Sequence, residues 1–144
     1  MKSLLNMAIF QIILIGVLFV GCKEKTIETK TSESISSPLE ILNKRMEYYN
    51  LHNFEKFIKL YADDVKIYTY PNKLLGKGTG NITSIFEPKF AAKSVQVEIV
   101  SQINNGNHVI NHEIVTENGI ETKYVSIYEI NYGLITSVRF VRDY

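Results

Sequence analysis

Leu39, Leu42, Met46 and Tyr49 recur at intervals of three and four, with Glu40, Lys44 and Glu47 between them. That spacing predicts an amphipathic helix from Pro38 to about Asn53. Phe54, Phe57, Ile58 and Tyr61 form a second, shorter apolar stripe. "ADD" closes it, and "VKIYTY" alternates as a strand until Pro71 stops it. "NKLLGKGTG", with glycines at 76, 78 and 80, reads as a loop. Ile82, Ile85, Phe86 and Phe90 predict a third helix, kinked or split by Pro88.

After Lys93 the period changes from helical to two. Val95, Val97 and Ile99 mark one strand, followed by "HVINHEIVT", "TKYVSIYEI" and "LITSVRFVR". Asn104–Gly106, Asn118-Gly119 and Asn131–Gly133 separate them as hairpin turns. Three helices followed by a four-strand meander predict an α+β fold, a curved antiparallel sheet with helices on one face. No internal repeat is present. "GKGTG" lacks the strand–helix context and the Lys-Ser/Thr pair of a phosphate loop, so it is read as a turn.

The front of the chain follows a different pattern. Residues 1–22, "MKSLLNMAIFQIILIGVLFVGC", carry Lys2, a largely apolar run from Leu4 to Val20, and then the only cysteine, Cys22. This resembles a bacterial lipoprotein signal whose cleavage leaves a lipid-bearing N-terminal cysteine, although Phe19 is bulky for its place in "LFVGC". The alternative is an uncleaved membrane anchor, for which the run is marginally long enough. Both place the domain in the cell envelope, held to a membrane on its periplasmic or extracellular side. Residues 23–37 are charged and Ser/Thr-rich, too poor in apolar surface to fold, and are expected to be a flexible tether. The domain is then 38–144, beginning at Pro38, a residue suited to the first turn of a helix. Sixteen Lys and Arg stand against fifteen Asp and Glu, which gives no basic field for nucleic acid.

The order of elements resembles the nuclear transport factor 2-like superfamily, in its SnoaL-like and ketosteroid-isomerase-like branch. The residues that carry the likeness are "YYNLHNFEKFIKLYADDVKIYTYPNKLLGKG", "VEIVSQINNGNHVINHEIV" and "VSIYEINYGLITSVRFVRD". The resemblance implies a cone-shaped sheet wrapped on three N-terminal helices around an interior, mostly apolar pocket. It also implies a homodimer through the sheet's outer face. The branch includes isomerases, cyclases, dehydratases and proteins without a reaction, so fold alone does not choose a function.

On the strand "HVINHEIVT", His108 and His112 share a face but lie roughly 13 Å apart, too far for one metal, and Glu113 points the other way. No metal or cofactor is expected. The family register turns Asn111 and Glu113 inward with Thr69, Tyr124, Ser126, Tyr128, Phe140 and Arg142. Ile110, His112, Ile114, Val125, Ile127, Glu129, Arg139, Val141, Tyr68 and Tyr70 then face outward. Where the ketosteroid-isomerase pattern has its carboxylate base, tyrosine and protonated aspartate, this chain has Thr69, Arg45 and Ser126. That mechanism is therefore not expected here.

Three readings follow. The first is a lipid-anchored domain binding a small, largely apolar molecule, oriented by Arg45, Thr69, Asn111, Tyr124, Ser126, Tyr128, Phe140 and Arg142. The second is an isomerase, dehydratase or cyclase with Glu113 as general base. The third is an interaction domain whose cone is filled by its own side chains, with Glu113 merely paired to Arg45 or Arg142.

Overall fold

A computed structural model describes residues 36–142. The signal, Cys22 and most of the tether lie outside the described residues. The elements run α1 (Pro38–Asn50), α2 (Phe54–Ile58), β1 (Tyr61–Thr69), β2 (Lys73–Lys77) and α3 (Thr79–Ala91). They continue through β3 (Val95–Asn105), β4 (His108–Glu117), β5 (Ile120–Asn131) and β6 (Leu134–Arg142).

Helix α1 starts with Pro38 behind a reciprocal cap: Ser37 Oγ accepts from the Glu40 amide, and Glu40 Oε2 accepts from the Ser37 amide. Its buried stripe is Ile41, Leu42, Arg45, Met46 and Tyr49, so an arginine occupies a core position. The helix ends at edge strand β3. Asn50 gives and takes backbone hydrogen bonds at Val97 (2.9 and 2.8 Å), and His52 bonds the Val95 carbonyl at 2.7 Å. Those ties fix how far along the sheet Arg45 sits.

The six strands form one curved, unclosed sheet in the order β2-β1-β6-β5-β4-β3. The meander from β3 to β6 is antiparallel throughout, closed by turns with Gly106, Asn118-Gly119 and Tyr132-Gly133 at positive φ. Two expectations are corrected. β1 runs parallel to β6, because the whole meander separates them and no hairpin dictates their direction. The segment read as a loop contains β2, a short strand antiparallel to β1. Its Leu74 and Leu75 are exposed and lysines stand at both ends, the composition of a protected edge, which hides a strand's signal. Helix α3 runs through Pro88 as one element.

The core lies between the helices and the concave face. Tyr49, Phe57, Phe86 and Phe90 pack ring against ring, with centroids 5.0 Å apart for Phe57–Phe90 and 5.3 Å for Tyr49–Phe90. Val65, Ile67, Val97, Val109 and Val138 supply the sheet's share. On the convex face, one cross-strand row reads Leu74, Tyr68, Arg139, Ile127, Ile110 and Ile103.

Candidate functional site

Arg45 is 4% exposed and Glu113 2%, yet both line a single cavity of about 480 Å³ between the concave sheet and the helices. Its walls are mainly apolar, with Ile67, Ile82, Phe86, Val97 and Val138 among them. The volume falls in the range of pockets that hold small organic molecules. The cone is thus not filled by its own side chains.

Strand alternation delivers Glu113. On β4 the odd residues Val109, Asn111 and Glu113 are buried on the concave side, while Ile110 and His112 turn to the other face. Glu113 stands opposite Tyr124, and Asn111 opposite Ser126. That register brings three donors to the carboxyl group: Ser126 Oγ at 2.6 Å, Asn111 Nδ2 at 3.3 Å and Tyr128 Oη at 3.4 Å. Gln102, on the neighbouring strand, in turn donates to Asn111 Oδ1 at 2.9 Å.

Arg45 is held differently. Its Nε donates to Tyr61 Oη at 2.6 Å and its Nη1 to Met46 Sδ at 3.1 Å. The guanidinium carbon lies 5.5, 5.3 and 5.0 Å from the ring centres of Tyr49, Phe57 and Tyr128. Burial works against its charge, but Tyr128, Tyr61 and Glu113 outweigh burial and raise its pKa further. Burial likewise pushes the Tyr128 phenol well above its ordinary value, and Tyr61 and Tyr49 upward, with Arg45 opposing in each case. The tyrosines therefore stay neutral hydroxyls across the physiological range. Among the described residues no hydrogen bond joins Arg45 to Glu113. Each charge is satisfied separately, and both face the same apolar space.

Of the residues singled out in the sequence, Arg45, Thr69, Glu113, Tyr124, Phe140 and Arg142 line the cavity. Asn111, Ser126 and Tyr128 do not; they are fully buried behind it and position Glu113. Thr69 is tied by its hydroxyl to the Phe140 carbonyl at 3.4 Å. Sequence reasoning missed Tyr49 and Tyr61, which looked like core aromatics, and the rim residues Lys73, Lys89 and Glu117. Lys89 and Glu117 form an ion pair of 2.7 Å between α3 and β4, which no local pattern announces. His108 lies opposite Glu129, and His112 opposite Val125, both away from the cavity.

Several solved structures share this fold. An NTF2-like protein of unknown function from Cytophaga hutchinsonii superposes with a TM-score of 0.66 at 17% identity, covering 77% of this chain and 94% of its own. An uncharacterized cystatin fold protein from Novosphingobium aromaticivorans gives 0.68 at 21% identity, over 74% of this chain and 99% of its own. A computationally designed 17-OHP binder gives 0.64 at 22% identity, over 75% and 95%. No curated protein matches. The SnoaL-like domain family matches residues 43–138, most of the folded part, and the chain belongs to that family.

Proposed function

We propose that this SnoaL-like domain binds a small, largely apolar molecule in its cone, with a polar group of the ligand set between Arg45 and Glu113. The observation that carries the reading is that these opposite charges line one apolar cavity without bonding each other. A ligand group that accepts from the guanidinium and donates to the carboxylate would satisfy both. That a designed 17-OHP binder uses the same fold supports a ligand of this kind.

The same geometry favours a second reading, an isomerase, dehydratase or cyclase. Glu113 would take a proton from carbon while Arg45 stabilises the resulting enolate, an electrostatic role suited to a water-poor cavity. A thermal-shift screen of the full chain in lipid nanodiscs against neutral apolar molecules, steroids included, tests the first reading. At least one should raise Tm at saturation, and Arg45→Met should weaken it at least about tenfold. No shift with any compound would sink the binding reading. For a ligand so found, turnover that Glu113→Gln abolishes would establish the enzyme, whereas binding without turnover would leave a carrier or sensor.

The envelope location belongs to the same proposal: lipid on Cys22 anchors the domain to a membrane, and the outer row of Tyr68, Ile110 and Ile127 pairs two copies. Cys22→Ser should release the chain from the membrane fraction, and Ile110→Lys should yield monomers in sedimentation.

A further inference from the structure

The charges lining the cavity are unevenly distributed along its depth. At the buried end Arg45 faces Glu113, one positive and one negative. Toward solvent the lining holds Lys73, Lys89 and Arg142 against Glu117 alone. Lys89 is already bound to Glu117 at 2.7 Å. Lys73 and Arg142 are exposed, and Arg142 has an interaction of its own, so Lys73 is the principal cation of the rim.

Strand register sets these two cations around one opening. Lys73 pairs with Thr69, Thr69 pairs with Phe140, and Arg142 lies two residues further along β6. Strand spacing and rise put the Lys73 and Arg142 backbones about 12 Å apart, a gap their long side chains can share. Thr69, Phe140 and Tyr124 line the cavity wall between and beside them.

We infer that the occupant is an amphiphile with an apolar body and one anionic end, the anion lying outward between Lys73 and Arg142. This rests on the binding reading above and names its ligand class. An anion at the buried end would find the attraction of Arg45 offset by the repulsion of Glu113 while giving up its hydration, with no net gain to repay that loss. At the rim it meets an excess of positive charge and keeps part of its hydration. The inner end of the ligand is then neutral and hydrogen-bonding, and the outer end charged.

The test is calorimetric titration of the full chain in phosphatidylcholine nanodiscs, with empty nanodiscs subtracted. Three probes share one body: 6-phenylhexanoate, 6-phenylhexan-1-ol and 6-phenylhexylammonium. The carboxylate should bind about tenfold tighter than the alcohol, the equivalent of about 1.4 kcal/mol, and the ammonium weakest. Raising salt should narrow the gap, and the double variant Lys73→Gln/Arg142→Gln should bring the carboxylate to the alcohol's affinity. Phosphatidylglycerol nanodiscs that displace the carboxylate would identify a lipid as the source of the anion; no displacement would identify a soluble molecule. Equal affinity for alcohol and carboxylate would overturn the inference while leaving the cavity a binding site. So would a carboxylate preference that survives the double variant and disappears in Arg45→Met, which would place the anion inside. If none of the three binds while a neutral compound from the screen does, only the anionic class fails. If nothing binds, both readings fail.

Discussion

Glu113 and Glu129 are held by nearly the same arrangement in opposite surroundings. Each receives a hydrogen bond from an asparagine two residues away on its own strand: Asn111 at 3.3 Å for Glu113, Asn131 at 3.1 Å for Glu129. Each receives another from a serine on the adjacent strand, Ser126 at 2.6 Å and Ser137 at 3.0 Å. Glu113 lies on the concave face, deeply buried, and lines with Arg45 a mainly apolar cavity. Glu129 lies in an open polar groove on the other face with Asp64, Lys66 and Arg139. The local clasp is shared, so it is the environment that differs. In water, a charge so clasped attracts little else; in an apolar cavity it orients whatever enters.

The largest expected contrast is in stability. Glu113→Ala strands the donors of Asn111, Ser126 and Tyr128, all without solvent exposure, and should cost about 2–4 kcal/mol. Glu129→Ala leaves Asn131 half-buried and still bonded to Thr136, with only Ser137 buried among the freed donors, and should cost less, about 1 kcal/mol. Urea unfolding of both variants measures the difference, and equal losses would show that the clasp matters and burial does not.

A smaller effect comes from the hydroxyls around the inner site. Burial raises the pKa of Tyr128, Tyr61 and Tyr49. A group with a raised folded pKa contributes its stability in full below the unfolded value and loses it as pH rises toward the folded one. Stability should therefore hold to about pH 10, the ordinary phenol value, and fall above it as the unfolded chain ionises first. Tyr128→Phe should lessen that alkaline slope while costing about 1 kcal/mol at neutral pH for its bond to Glu113. Denaturant melts from pH 8 to 12 would detect it; an unchanged slope would mean the other two phenols govern it.

How much of this pair was legible in the sequence differs between the two faces. Period-two alternation put Asn111 and Glu113 on one face of a strand; that this face is the inner one, and that Ser126 shares it, was implied by the family likeness, and the β4–β5 register pairs Asn111 with Ser126. Arg45 was reached through a family likeness, since on α1 alone it interrupts an apolar stripe. Pairing of Glu113 with an arginine was one of the alternatives left open; its hydrogen bonds from Asn111, Ser126 and Tyr128 were not anticipated. Hydrogen-bond geometry at that level depends on side-chain rotamers and strand twist, which periodicity does not encode. β2 escaped for another reason: an exposed edge strand has no buried face to impose alternation, and Gly76, beside the Asn81 amide, reads as a turn residue. Lys73, and with it half of the cationic rim, was hidden by that omission.

The smallest effect should come from the outer clasp at acid pH. Hydrogen bonding from Asn131 holds the Glu129 carboxyl below its ordinary value; burial opposes, and Ser137, His108 and Arg139 add to the lowering. A depressed carboxyl contributes stability above its unfolded pKa, about 4.3 for glutamate, and loses it as pH falls through the folded value. Glu129→Gln should therefore flatten stability only below about pH 4.5, and solvent screening keeps the change within about 0.5 kcal/mol. Acid titration of wild type and Glu129→Gln by urea melts would measure that loss. A Glu129 contribution as large as that of Glu113 would mean the outer groove is drier than its openness suggests, as it would be if a second copy of the chain covered it.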